Sequence, residues 1–135
     1  MLQEQEQPFT AKKGTVKTIL VVEDDEDNQA LFIEAFSLLA SYHVQVARNS
    51  TEALHFVKYI KPSLFILDYR LPNMNGIELY DQLHAIPELE KIAAIIISGI
   101  ASDEVARDIE SRKLIRIDKP FDLDEFLDSV KQALG

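Results

Sequence analysis

The stretch that decides the fold spans residues 64–76 and reads Leu-Phe-Ile-Leu-Asp-Tyr-Arg-Leu-Pro-Asn-Met-Asn-Gly. Its first four residues form a continuous apolar run, which is typical of a strand covered on both faces of a parallel sheet. Asp68 follows this run directly, and residues 72–76 have the composition of a turn. The stretch therefore predicts a central strand with a carboxylate at its carboxyl end.

Similar strands are predicted on both sides of this stretch, at residues 18–22, 44–47, 93–97 and 114–117. The first and third of these are apolar throughout, whereas the other two alternate in the way expected of sheet edges. Segments with helical spacing follow each strand. Five strand–helix repeats predict an α/β fold, a flavodoxin-like doubly wound five-stranded parallel sheet in the order 2-1-3-4-5 with five helices.

The helices carry their own sequence signals. One stripe of apolar residues predicts the inner face of the first helix; it comprises Leu31, Phe32, Ala35, Phe36 and Leu39. Asn49 with Glu52 three residues later resembles a capping box, and Asp122 is expected to cap the last helix. Core positions are predicted for Phe32, Phe36, Phe65 and Phe126.

Composition limits the possible functions. The chain has no cysteine, so a disulfide framework, a thiolate metal site and a cysteine nucleophile are excluded. The net charge of −9 argues against direct binding of nucleic acid by this domain. Neither a signal peptide nor an apolar run long enough to span a membrane is recognisable, so a cytoplasmic protein is expected. Residues 1–16 are predicted to be a flexible leader and residues 17–135 one domain.

Polar side chains follow four of the predicted strands. Ligands bind at the carboxyl ends of the strands in such sheets, so these groups are expected to converge. They are Glu23, Asp24 and Asp25 after the first strand, Asp68 after the third, Ser98 after the fourth, and Asp118 with Lys119 after the fifth. Two carboxylates about 4 Å apart repel by about 1 to 4 kcal/mol, so the cluster needs a counter-charge. Oxygen ligands without histidine or cysteine favour Mg²⁺.

With these residues in place, the chain resembles the response-regulator receiver domains of two-component signalling over about residues 17–134. The matching motifs are Ile-Leu-Val-Val-Glu-Asp-Asp, Leu-Asp-Tyr-Arg-Leu-Pro-Asn-Met-Asn-Gly, Ile-Ile-Ser-Gly, Asp-Lys-Pro-Phe and a final amphipathic helix. The resemblance implies these roles: Asp68 as the phosphoacceptor, Asp24 and the Arg70 carbonyl as Mg²⁺ ligands beside it, Glu23 acting on the metal through water, Ser98 bonding a phosphoryl oxygen, and Lys119 as the conserved cation. It also implies a cis bond before Pro120.

The resemblance further implies a signalling phosphoacceptor rather than a conventional enzyme. Such a domain takes a phosphoryl group from a phosphohistidine, with Mg²⁺, and catalyses its own phosphorylation and slow dephosphorylation. The implied partners are a sensor histidine kinase or histidine phosphotransfer protein and a downstream protein effector, without a membrane or direct nucleic acid binding. The sequence leaves open whether the chain is a stand-alone regulator or part of a larger protein.

One position departs from the family pattern. Arg116 stands three residues before Lys119, where many receivers carry an aromatic residue that moves between buried and exposed positions. Burying a guanidinium without an assured partner is costly. We therefore expect the signal to travel through the segment between Ser98 and Arg112, with Arg116 as a polar contact to an acid on the fourth or fifth helix or on a partner.

Two alternative functions remain open from the sequence. A haloacid-dehalogenase-like phosphatase also uses an aspartate at a strand end, but it needs a second aspartate where Arg70 stands. A pseudo-receiver would be an interaction module that no longer accepts phosphate. The three histidines, His43, His55 and His84, lie outside the acidic cluster and are expected to have surface or packing roles. Tyr69 and Tyr80 are ambiguous between these roles.

Overall fold

The predicted architecture is confirmed by a computed structural model, which describes residues 16–37, 39, 41–99 and 102–135. Five parallel strands form one sheet in the order β2-β1-β3-β4-β5. The elements in chain order are β1 (Lys17–Val22), α1 (Glu26–Ser37), β2 (Tyr42–Ala47), α2 (Ser50–Phe56), β3 (Leu64–Asp68), α3 (Gly76–His84), a short 3-10 helix (Pro87–Leu89), β4 (Ala93–Ser98), α4 (Asp103–Ser111), β5 (Ile115–Asp118) and α5 (Leu123–Leu134). The 3-10 helix was not predicted.

The register of the sheet brings the strand ends together. Asp68 at the end of β3 lies opposite Ile97 of β4, and Ser98 lies opposite Asp118 of β5. All five residues of β3 are buried, as the continuous apolar run predicted for a central strand. The predicted edge strands, β2 and β5, lie at the two edges of the sheet. This register brings the polar residues at or just after the carboxyl ends of β1, β3, β4 and β5 to the same end of the sheet.

Two apolar layers cover the sheet. Helices α1 and α5 pack on one face, where the rings of Phe32 and Phe36 lie 5.3 Å and 5.7 Å from that of Phe126. Helices α2, α3 and α4 cover the other face, and Phe65 points into that layer. All four phenylalanines predicted for the core are buried, which confirms the prediction.

Two local predictions need correction. Leu31 is 41% exposed, because the buried stripe of α1 is narrower than predicted and consists of Phe32, Ala35 and Phe36. Asn49 does cap α2, but the Glu52 carboxylate accepts from the Arg48 amide at 2.8 Å instead of returning to Asn49. Glu52 also forms an ion pair with the Arg48 guanidinium, so its carboxylate serves a neighbouring residue and the reciprocal box is absent at this helix.

Other end signals are confirmed. Asp122 caps α5, and its carboxylate accepts from the Asp124 amide at 2.9 Å. Ser102 caps α4 in the same manner, through the Val105 amide. The predicted leader, residues 1–16, lies outside the described residues except for Val16, so the proposed division of the chain stays a prediction. Within the described part of the chain, every helix is too short or too polar to cross a membrane.

Candidate functional site

Three carboxylates converge at the carboxyl end of the sheet. Glu23 and Asp24 follow β1 and Asp68 ends β3, and one oxygen from each lies within 4.8 Å of the others. Glu23 and Asp68 are 1% and 5% exposed, whereas Asp24 is exposed to solvent. The three residues therefore form a carboxylate cup, in which the Glu23 and Asp68 side chains are buried and the Asp24 side chain is exposed to solvent.

Lys119 supplies the positive charge of this cluster. Its Nζ donates to Asp68 Oδ1 at 3.1 Å and lies 3.9 Å from Glu23 Oε1. The backbone amide of Lys119 donates to the Ser98 carbonyl at 2.9 Å, which holds Lys119 beside the end of β4. The bond from Lys119 to Pro120 is cis, as the resemblance implied. One ammonium thus faces two buried carboxylates, so negative charge remains in excess.

Glu23 is the most strongly perturbed group of the site. Burial, and then the charge of Asp68, raise the pKa of Glu23 to about 7, against the weaker opposing effects of the hydrogen bond from the Asp25 amide and of the Lys119 charge. Among the described residues, its Oε1 atom has no hydrogen-bond partner although it is buried. A buried carboxylate oxygen without a donor is costly unless a proton or a cation satisfies it. The oxygen-only donors and the unsatisfied atom fit a hard divalent cation such as Mg²⁺.

A cleft of about 200 Å³ gives access to Asp68. Its lining comprises Asp68, Tyr69, Arg70, Ser98, Gly99 and Lys119. Ser98 is almost fully buried, at 2% exposure, and Gly99 opposite Lys119 has no side chain to narrow the opening. Ser98, Arg70 and Lys119 thus line the cleft together with Asp68, and of these three Lys119 contacts the Asp68 carboxylate. A larger groove of about 510 Å³ beside β2 and α2 shares no residue with this cleft.

The first turn of α1 contains a residue that the sequence reasoning missed. The half-buried side chain of Gln29 donates through Nε2 to the main-chain carbonyl of Glu23 at 2.8 Å. Asp25, although it follows the same strand, caps α1 by accepting from the Asn28 amide at 2.9 Å. No local pattern distinguishes Gln29 from any other polar residue in the first turns of a helix.

A second feature that the sequence reasoning missed is the start of α3, which packs against the main chain of Asp68. Asn75 and Glu78 form the reciprocal capping box that had been expected at Asn49, and they begin α3 at Gly76. The Gly76 amide donates to the Tyr69 carbonyl at 2.9 Å. A Cβ at Gly76 would overlap the main-chain carbonyl oxygen of Asp68, so this glycine is more than the turn residue that the sequence indicated. The Asn-x-x-Glu spacing was the available signal for this helix start.

Several polar residues stand apart from the site. Asp118 is exposed and accepts from Arg116 Nε at 2.6 Å, so it does not join the carboxylate cup. The three histidines are exposed, in agreement with the surface roles predicted for them. Tyr80 is buried in the core, and its hydroxyl lies 3.3 Å from His84 Nδ1. Tyr69 is half-buried and lines the cleft.

Comparisons with known proteins concern the family and the fold of the chain. Residues 19–131 match the family described as the response regulator receiver domain. The chain is 34% identical over 117 residues to sporulation initiation phosphotransferase F of Bacillus subtilis, covering 86% of this chain and 92% of that protein. It is 29% identical over 120 residues to the polar-differentiation response regulator DivK of Brucella anthropi, covering 88% of this chain and 97% of that protein. The structure of chemotaxis protein CheY4 of Vibrio cholerae superposes with a TM-score of 0.81 at 19% identity, covering 89% of this chain and all of that one, which shows a common fold.

Proposed function

Because this chain belongs to the response regulator receiver domain family, we propose that it accepts a phosphoryl group on Asp68 from a phosphohistidine. Receiver domains act in two-component signalling, and a similar protein is named a phosphotransferase. The observation that carries the proposal is the contact of 3.1 Å between Lys119 Nζ and Asp68 Oδ1, within a cleft that leads to this buried carboxylate. A purely structural ion pair has no need of such a cleft.

The proposed reaction is a nucleophilic displacement at phosphorus. An oxygen of the Asp68 carboxylate forms a bond to phosphorus as the phosphorus–nitrogen bond of the phosphohistidine breaks. The electron pair of the broken bond stays on the imidazole nitrogen, so the product is an acyl phosphate and a neutral histidine after proton exchange. Phosphoryl transfer depends mainly on positioning and on stabilising charge on the oxygens. Lys119 is placed to stabilise that charge.

Mg²⁺ is the proposed cofactor. Asp24, Asp68 and the main-chain carbonyl of Arg70 would hold it, and Glu23 would act on it through a water molecule. When bound, the ion neutralises the carboxylates and the charge on the phosphoryl oxygens. The support is the cup of three carboxylates and the unsatisfied Glu23 Oε1 atom among the described residues.

Ser98 and Gly99 have separate proposed roles at the cleft. The Ser98 hydroxyl would bond a phosphoryl oxygen, and this contact would bias the segment between Ser98 and Arg112 toward a second conformation. Such a switch requires contacts that differ between the two states, and Ser98 and Lys119 are the residues able to make them. Gly99 leaves room for a bulky donor, since a Cβ there would approach only the Lys119 Cβ, at 3.8 Å.

The proposed partners follow from the reaction. The donor is a sensor histidine kinase or a histidine phosphotransfer protein, and the output is a protein effector, with no direct nucleic acid or membrane binding by this domain. We also propose that the chain is a signalling phosphoacceptor that catalyses its own phosphorylation and slow dephosphorylation. The cytoplasmic location stays a prediction.

Labelling with a small phosphodonor tests the proposal. The protein is incubated with acetyl phosphate and Mg²⁺ and its intact mass is measured. We expect one added phosphoryl group in the wild type and none in Asp68→Ala or without Mg²⁺. Asp118→Ala is the matched control, because that aspartate also ends a strand but lies outside the carboxylate cup. An unlabelled wild type would favour the pseudo-receiver, and equal labelling of Asp68→Ala would exclude Asp68 as the acceptor.

A further inference from the structure

The main chain of Glu23 is held on both sides. Its amide donates to the Ala47 carbonyl at 3.0 Å, which extends the ladder between β1 and β2 by one residue. Its carbonyl accepts from Gln29 Nε2 at 2.8 Å. Gln29 is itself anchored in the first turn of α1, because its own amide donates to the Asp25 carbonyl at 2.9 Å. The helix thus holds the end of β1 through one side chain.

The side chain of Glu23 is oriented by the same loop. Its Oε2 atom accepts from the Asp25 amide at 3.1 Å, which leaves Oε1 on the side of Lys119, 3.9 Å from Nζ. The peptide between Glu23 and Asp24 is a rigid plane, and its carbonyl is the atom that Gln29 holds. Rotation of that plane would turn the Asp24 carboxylate away from Asp68 and would loosen the Asp25 contact.

We propose that Gln29 is a positioning residue for the metal site. It lies outside the carboxylate cup, and its contact with the site is made through the Glu23 carbonyl. Hydrogen-bond partners that orient the ligands of a metal typically change its affinity about 10- to 100-fold when they are removed. The inference rests on the proposed function, since it needs the cation that the carboxylates are proposed to bind.

Two substitutions separate geometry from charge. Gln29→Met keeps the length and the helix propensity of the side chain but removes the donor. Gln29→Glu keeps the shape, replaces the donor by a carboxylate and adds a negative charge, which by Coulomb attraction alone would strengthen Mg²⁺ binding. A loss of affinity in both variants therefore cannot come from charge. Gln45→Met is the matched control, because Gln45 is a half-buried glutamine on β2 outside the cup.

The experiment is a calorimetric titration of the metal-free full chain with MgCl₂ at fixed ionic strength. We expect about tenfold weaker binding in Gln29→Met, weaker binding in Gln29→Glu, and unchanged binding in Gln45→Met. Equal affinities of wild type and Gln29→Met, with or without a gain in Gln29→Glu, would overturn the positioning role and leave the proposed function standing. A wild type that binds no Mg²⁺ would overturn both.

A readout without metal distinguishes positioning from general destabilisation. Amide chemical shifts and hydrogen exchange are recorded for the metal-free variants. Positioning predicts that the changes in Gln29→Met are confined to residues 23–25 and the first turn of α1, with the Asp25 amide losing protection. Changes that spread through the sheet, together with a lowered melting temperature that accounts for the loss of affinity, would overturn the proposal.

Discussion

The backbone of Gly76 packs against the main-chain carbonyl of Asp68 so closely that no side chain fits between them. Through this contact the start of α3 packs against the main chain of the proposed phosphoacceptor. The Gly76 amide also donates a hydrogen bond to the Tyr69 carbonyl at 2.9 Å. The loop of residues 69–75 is thereby closed by the helix that follows it. The position of Asp68 thus depends on a residue that bears no functional group.

Gly76→Ala should therefore lower stability and phosphorylation together. A Cβ that forces the backbone apart in a packed region typically costs about 1 to 3 kcal/mol of unfolding free energy. Urea unfolding measures the stability, and labelling with acetyl phosphate measures the site. Gly99→Ala is the control for stability, since its Cβ would meet the Lys119 Cβ at an ordinary distance of 3.8 Å. Equal stabilities of the two variants would contradict the close contact.

Glu23 predicts how the stability of the metal-free protein depends on pH. Its pKa is raised from 4.5 to about 7 by burial and by Asp68, so between these values the folded state holds a proton that the unfolded state has released. Stability contributed by this group is complete below the lower value and is lost as pH rises through the upper one. The stability of Glu23→Gln minus that of wild type should therefore increase over this window. Unfolding in urea with a chelator, at several pH values, measures it; a constant difference would refute the shift.

Asp24 predicts the thermal effect of Mg²⁺. A ligand that binds only the folded state raises its stability with concentration, so the wild type should melt at a higher temperature with Mg²⁺ than without it. Asp24→Asn should reduce this increase, and it should not destabilise the metal-free protein because it removes one of three crowded negative charges. Thermal melts with Mg²⁺ and with a chelator provide the comparison. An equal Mg²⁺ effect in both proteins would remove Asp24 from the site.

A bidentate ion pair predicts energetic coupling between α3 and the end of α4. Arg112 donates through Nε and Nη2 to the two carboxylate oxygens of Asp81, at 2.7 Å and 2.8 Å. Only Val105 and Ile109 of α4 are buried, so the pair adds to a small apolar contact. A double-mutant cycle with Asp81→Asn and Arg112→Gln should give about 0.5 to 1 kcal/mol of coupling, as for a well-aligned but partly exposed pair. The exposed pair of Arg48 and Glu52 should give less; additive single effects at Asp81 and Arg112 would contradict the prediction.

Because Arg116 stands where many receivers carry an aromatic residue, we predict that the proposed switch does not use a buried aromatic ring. The structure gives it a partner that the sequence did not suggest, because its Nε donates to Asp118 at the end of its own strand. Moving the guanidinium inward would break this pair and strip its water. Structures with and without beryllofluoride should show the segment between Ser98 and Arg112 displaced and Arg116 still beside Asp118. If Arg116 instead turns inward while the segment between Ser98 and Arg112 stays in place, the prediction is wrong.

The sequence by itself determined the sheet and the location of the site. Continuous and alternating apolar runs depend only on side-chain periodicity along a strand, so the central strands, the edges and their order could be predicted without knowledge of contacts. The carboxyl ends of parallel strands lie at the same end of the sheet. The residues at these ends could therefore be grouped from the sequence; they are Glu23, Asp24, Asp68, Ser98 and Lys119. The same reasoning grouped Asp25 and Asp118 with them, and it could not tell that both would form other bonds.

Only the tertiary structure decided which groups are in contact and which side chains are buried. The bond from Gln29 to the Glu23 carbonyl, the pair of Asp81 with Arg112, and the approach of Gly76 to Asp68 depend on the loop paths and on the depth at which helices pack. The exposure of Leu31 and the missing reciprocal bond at Asn49 have the same origin. Contacts below 4 Å are set by the simultaneous packing of distant segments, whereas a local pattern specifies only the face of an element on which a residue lies.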